Sequence, residues 1–155
     1  MEEKPLVGVL VGSRTDEPLI QDTLKVLEDL GIPHEFNAMS AHRSPQRVMD
    51  YVSAAEGRGI EVLIAGAGGS AALPGVVASW TTLPVIGIPL PTSDLVGVDA
   101  LHTIVQMPPG VPVACVAIGA WGARNAAYLA ASILGIKHAN IKQAYGGYRE
   151  GLRKA

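Results

Sequence analysis

The sequence predicts a doubly wound, three-layer α/β domain built around a parallel sheet, and three observations carry that prediction. Short apolar runs alternate with longer segments of helical period along the chain. Capping residues followed by proline open two of the helical segments, Asp16 with Pro18 and Ser44 with Pro45. Glycines close both segments. Because no linker, internal repeat or low-complexity tract interrupts the 155 residues, residues 1–155 are read as one domain.

Taken in order, Leu6 to Val11 is the first strand. The helix capped by Asp16 buries a stripe of Leu19, Leu24, Leu27 and Leu30 and stops at Gly31. The second strand covers about His34 to Met39, and the helix opened by Ser44-Pro45 turns Val48, Tyr51, Val52 and Ala55 inward before Gly57 and Gly59. Val62 to Ala65 is the third strand. The glycine-rich turn Gly66 to Gly69 leads into a helix of small residues ending near Trp80, and Pro84 to Ile88 forms the fourth strand. Leu95 to Gln106 has helical period, Val111 to Ile118 is the fifth strand, and Ala123 to Leu134 is a further helix. A more polar terminal helix lies within 139–152.

Composition narrows the possible partners. Hydrophobic residues make up 48% and charged residues 17%, against about 25% charged in an ordinary globular chain. So little charge points to an outer surface partly covered by copies of the same chain, as in symmetric homo-oligomers. The net charge of −2 and the absence of any Lys/Arg cluster argue against nucleic acid. Cys115, the sole cysteine, excludes an intrachain disulfide and reads as a buried strand thiol. The opening Met1-Glu2-Glu3-Lys4 lacks a signal-peptide layout and no apolar run has membrane length, so no membrane partner and a cytoplasmic location are expected. With no HExxH-like spacing and one cysteine, neither a metal nor another cofactor is expected.

In doubly wound sheets, ligands bind beyond the carboxyl ends of the strands. There the first three strands deliver Gly12-Ser13-Arg14-Thr15-Asp16, Ser40-Ala41-His42-Arg43-Ser44-Pro45 and the stretch from Gly66 to Gly75. Each precedes a helix, whose free N–H groups and dipole favour an anion such as phosphate. Ser13, Ser40 and Arg43 supply hydroxyl and guanidinium donors to complete that site. Asp16, an acceptor, suits ribose hydroxyls and can equally serve as a plain helix cap. His42 is the one imidazole at a strand end among polar loop residues; it fits proton transfer near neutral pH, and alone it would equally fit a solvated loop residue. The backbone of Gly66, Ala67, Gly68 and Gly69 allows close approach of a flat ring, with Ala71, Ala72, Leu73 and Pro74 as apolar walls. Trp80 and Trp121 read as core or interface anchors.

Together these segments resemble one family, the 5-(carboxyamino)imidazole ribonucleotide mutases and related aminoimidazole ribonucleotide carboxylases of purine synthesis. GSRTD is similar to the family's GSxSD, SAHRSP to SAHRTP, and GAGGSAALPG to GAGGAAHLPG. The likeness runs on through Leu83 to Pro89, Ser93 to Asp99, Ile104 to Pro108 and Asn125 to Ala127. It implies a flavodoxin-like sheet, an octamer, phosphate near Ser13, Ser40 and Arg43, ribose on Asp16, and His42 as the proton-transfer residue. The ring would sit against Gly66, Ala67, Gly68, Gly69, Ala72 and Leu73. No metal, ATP or redox cofactor is implied. Two residues depart from the pattern: Ala72 stands where members similar to this one have histidine, and Ser70 where they have alanine. Arg43 and the double glycine favour the mutase over the carboxylase branch, which has lysine after its Ala-His pair and resembles AGRSNALSG in the loop.

Other readings fit less well. The GxGxxG/A match at Gly66 to Ala71 follows the third strand and lacks the later acidic ribose ligand of dinucleotide folds. A receiver domain needs an aspartate where Gly66 ends the third strand. A flavodoxin-like binding protein that carries flavin would purify yellow.

Overall fold

The computed structural model describes residues 4–155; Met1 to Glu3, the start of the predicted domain, lie outside the described residues. Five strands, β1 (Val7–Val11), β2 (His34–Ala38), β3 (Val62–Ala67), β4 (Val85–Pro89) and β5 (Ala114–Cys115), pair in parallel in the order β2-β1-β3-β4-β5. This is the flavodoxin-like order, and its switch point falls between β1 and β3. Among the described residues six α-helices cover the two faces: α1 (Gln21–Asp29), α2 (Pro45–Arg58), α3 (Ala72–Ser79), α4 (Val98–Val105), α5 (Gly119–Leu134) and α6 (Ala139–Lys154).

Strand periodicity divides the core in two. Val7, Val9 and Val11 join Ile64, Ile86 and Ile88 beneath α1, α5 and α6. Leu10, Leu63 and Ala65 face the opposite way, against Val48 and Val52 of α2, Val77 of α3 and Ile104 of α4. Both faces being covered explains why β1, β3 and β4 are buried throughout and read as unbroken apolar runs. Thr23 of α1, fully buried, donates its hydroxyl to the Ala123 carbonyl at 2.7 Å and so ties α1 to the start of α5.

Several local expectations need correction. The first crossover opens as a 3-10 segment, Arg14–Ile20, whose cap is Ser13, not Asp16; α1 begins only at Gln21. Pro18 lies inside this segment and has no N–H to donate, and the regular α-helical ladder opens only after it. Of the predicted stripe, Leu27 and Leu30 are buried, while Leu19 and Leu24 pack at the margin and Ile20, Thr23 and Val26 take the inner places. Val111 to Ile118 forms a ladder only at Ala114 and Cys115, because this is the sheet edge and Pro112 lacks a donor. Cys115 is therefore half-buried, and the burial it does have raises its thiol pKa. Trp80 and Trp121 are 47% and 77% exposed, which removes the core role in the single chain and leaves the interface role of the two that were expected.

Candidate active site

The carboxyl ends of β1, β2 and β3 enclose a cavity of about 190 Å³. Gly12, Ser13 and Asp16 line it from the end of β1; Ser40, Ala41, His42 and Arg43 come from the end of β2; Ala67, Gly68, Ser70, Ala71, Ala72 and Leu73 come from the end of β3. Of the residues expected in the site, Ser13, Asp16, Ser40, His42, Arg43, Ala67, Gly68, Ala72 and Leu73 are brought together there. Gly66 and Gly69 do not line it. Gly66 belongs to β3, and a Cβ on it would meet Ile20 Cγ2 and Leu90 Cδ1 at 3.2 Å, so its missing side chain admits those neighbours. Gly69 supplies a left-handed turn at φ 54°. Pro74 is buried within α3. Gly12, Ala41 and Ser70 join the lining unforeseen, although each sits inside one of the three segments singled out by their position after a strand.

Two serines are prepared as donors. Ser13 Oγ accepts from Thr15 N at 3.3 Å and from Thr15 Oγ1 at 2.9 Å. Ser40 Oγ accepts from Arg43 N at 3.1 Å and from Arg43 Nε at 3.4 Å. A hydroxyl has two acceptor lone pairs and one proton. With both lone pairs occupied, each serine has only its O–H left to offer, which suits an anion. Arg43 spends Nε on Ser40 and keeps its terminal nitrogens free of hydrogen bonds to the described residues. The 14-residue helix α2 starts immediately after, at Pro45, and its N-terminal dipole adds to the same bias.

Asp16 sits in a different electrostatic setting. Burial pushes its carboxyl pKa up from its ordinary value, against the opposing pull of the Ser13 backbone hydrogen bond and the Arg43 charge. A ribose hydroxyl donating to the carboxylate would compensate that desolvation. His42 is exposed and makes no hydrogen bond to the described residues, so its ring is free to turn towards a ligand. It is the only imidazole lining the cavity.

The turn after β3 is held under strain. Ala71 has φ 47° and ψ 38°, a left-handed conformation that costs a residue with a Cβ on the order of 1 kcal/mol. Its N–H bonds to the Gly68 carbonyl at 3.0 Å and its side chain is buried, which keeps it there. Gly68 in turn lies so close to Thr92 that no Cβ would fit between them. Behind the second loop, Tyr51 of α2 donates to Glu35 of β2 at 2.7 Å, and Arg58 pairs with the same carboxylate at 2.9 Å. Burial first, then the Glu35 carboxylate, push the Tyr51 phenol pKa up. This clamp fixes α2, and with it the loop carrying His42, against the edge strand. A larger hollow of about 390 Å³ between α5 and α6 offers Lys142, Arg149 and Arg153 but no imidazole or carboxylate. Among the described residues no group of three or more His, Cys, Asp or Glu could hold a metal ion.

Fold and site define a doubly wound α/β protein whose strand-end crevice suits a phosphorylated small molecule and holds one free imidazole. The chain belongs to the AIR carboxylase family, whose model matches residues 6–155. It is 51% identical over 152 residues to the N5-carboxyaminoimidazole ribonucleotide mutase of Pyrococcus horikoshii, covering 98% of this chain and 85% of that one. It is 53% identical over 150 residues to the enzyme of the same name from Thermotoga maritima, covering 97% and 86%. The crystal structure of Treponema denticola PurE superposes with a TM-score of 0.85 at 28% identity, covering 97% of this chain and 92% of that one.

Proposed function

We propose that this chain converts N5-carboxyaminoimidazole ribonucleotide to 4-carboxy-5-aminoimidazole ribonucleotide in purine biosynthesis. The observation that carries the reading is the convergence of the three segments on one small cavity with His42 as its sole imidazole. Family membership and relatives named as mutases at 51% and 53% identity over nearly the whole chain agree with it.

Phosphate is assigned to Ser13, Ser40 and Arg43, and the ribose hydroxyls to Asp16. The imidazole ring lies against Ala67, Gly68, Ala72 and Leu73. As imidazolium, His42 protonates the exocyclic nitrogen; the bond from nitrogen to the carboxyl carbon breaks and carbon dioxide leaves a neutral aminoimidazole. The ring carbon then attacks the retained carbon dioxide, forming the new C–C bond. Neutral His42 removes the proton from that tetrahedral carbon, and aromaticity and the imidazolium return together. Holding the gas beside the ring replaces a bimolecular encounter, and a small apolar wall serves that purpose.

The working form is assigned as a homo-oligomer, an octamer, in the cytoplasm. Leu95, Val96, Val98, Val105 and Trp121 are exposed on the single chain, as an association surface requires. Purified protein is supplied with the carboxyamino nucleotide and, separately, with aminoimidazole ribonucleotide plus modest bicarbonate. The expected result is faster formation of the carboxylated product from the first. Equal or faster turnover from the second overturns the mutase assignment in favour of direct carboxylation.

A further inference from the structure

The proposed function gives a part to every polar side chain lining the cavity except one. Ser13, Ser40 and Arg43 go to phosphate, Asp16 to ribose and His42 to the proton, which leaves Ser70. Its hydroxyl makes no hydrogen bond to the described residues, unlike Ser13 and Ser40, whose lone pairs are already filled. The residue is exposed, so its side chain does no packing work that would explain its presence. Its place is nevertheless well determined. Gly69 at φ 54° and Ala71 at φ 47° put left-handed backbone on either side of it, and the Ala71 N–H to Gly68 carbonyl bond closes the turn at 3.0 Å.

We propose that Ser70 is a substrate-binding residue that determines specificity for carboxylated nucleotides, its hydroxyl donating to the carboxyl group that the reaction moves. The proposal rests on the function assigned above. A carboxylated ribonucleotide has two anionic ends. The donors for its phosphate stand on the loops after β1 and β2, whereas the wall from the end of β3 consists of Ala67, Gly68, Ser70, Ala71, Ala72 and Leu73. A carboxylate brought against that wall loses water and needs a donor, and Ser70 carries the only side-chain donor on it. Ala72 presents a methyl group. Aminoimidazole ribonucleotide has no carboxyl group, so the contact separates the two nucleotides by affinity. Because a serine hydroxyl does not titrate in the working range, the discrimination is also independent of pH.

Calorimetric titration of the intact protein and of Ser70→Ala with 4-carboxy-5-aminoimidazole ribonucleotide and with aminoimidazole ribonucleotide tests this. Loss of one charge-assisted hydrogen bond weakens binding by roughly tenfold or more. The expected result is such a loss for the carboxylated nucleotide, the same at pH 6 and pH 8, with the uncarboxylated one held within about twofold. Ser70→Thr, which keeps the hydroxyl, retains most of the discrimination. Equal weakening of both nucleotides, or no weakening of either, overturns the role of Ser70 while the assigned function stands. A wild-type protein that binds neither nucleotide overturns the assigned function and this proposal with it.

Discussion

Adding one methyl group at Gly68 tests how far the cavity depends on the close approach of the turn after β3 to the segment after β4. In Gly68→Ala the new Cβ would fall on Thr92 Oγ1, 2.8 Å from Thr92 Cβ and 3.0 Å from the Leu90 carbonyl oxygen. The hydroxyl can rotate away, but the other two atoms are fixed to the backbone. Since Gly68 is not among the positive-φ glycines, alanine suffers no conformational penalty there and the effect is steric. Overpacking of this kind costs about 1 to 3 kcal/mol. For a chain of this size that is a fall of roughly 2 to 12 °C in Tm, at about 2 to 4 °C per kcal/mol. Displacement of the turn on the order of 0.5 Å should also cost turnover about tenfold, because reacting groups tolerate little misplacement. Thermal melting and steady-state kinetics measure the two effects, and Gly68→Ala/Thr92→Gly should recover part of both by removing the obstructing Cβ. A Gly68→Ala protein that melts and turns over like the wild type refutes the packing argument.

His42→Asn should lower kcat by about 10² to 10⁴ while leaving Tm nearly unchanged, since the ring is exposed and unpartnered among the described residues; residual activity above a few per cent in a kinetic assay counts against proton transfer by His42. Arg43→Ala should weaken nucleotide binding by about 1.5 to 3 kcal/mol, with Arg43→Lys recovering only part because an ammonium cannot grip phosphate in two-pronged fashion; unchanged affinity in calorimetry removes Arg43 from the phosphate site. Asp16→Asn should raise Tm at neutral pH and lower nucleotide affinity. Burial raises the folded-state pKa of Asp16 above its ordinary 3.8, so its contribution to stability is complete below that value and is lost as pH rises through the folded pKa; the advantage of the variant must therefore shrink below about pH 4, and a constant advantage across pH contradicts the sign.

The layers and the strand-end position of the cavity were legible because both follow from short-range pattern. Leu6 to Val11 and Val62 to Ala65 read as strands, and a buried parallel strand has no polar face to disguise it; the observed β3 runs two residues further, to Ala67, into what read as the glycine-rich turn. Pro45 and Gly59 bracket α2 where they stand in the sequence, one without a donor to lose and the other at φ 106°. What escaped was contact between distant residues. Nothing local announces that Thr23 reaches the Ala123 carbonyl, that Tyr51 and Arg58 share Glu35, or that Thr92 closes against Gly68. Asp16 and Ser13 are both competent caps, and residue type alone does not say which one stands where the helical turns begin; here they begin at Arg14, so Ser13 caps. The short β5 escaped for a related reason, since apolar residues such as Val111 and Val113 read as a strand whether or not a neighbour pairs with them.

Closure of the site has to be reconciled with its exposure in the single chain. The chemistry assigned to His42 requires carbon dioxide to stay beside the ring, yet His42 and Arg43 both face solvent. A bound nucleotide covers part of that opening, and the remainder calls for surface from elsewhere. The segment after β4 shows where such surface could attach. Thr92 lies against Gly68 at the cavity wall, and three to six residues further on Leu95, Val96 and Val98 are 64%, 65% and 49% exposed. Val96 also holds a left-handed φ of 53°, unfavourable for a β-branched side chain. An apolar, strained segment beside the cavity wall is hard to explain in an isolated chain. A contact between copies through this segment would remove apolar area from water and seat a neighbouring surface next to the glycine turn. On the homo-oligomer proposed above, association and catalysis would depend on the same residues, so Leu95→Asp or Val98→Asp should lower both the mass in solution and kcat, and a variant of reduced mass with full kcat refutes the link.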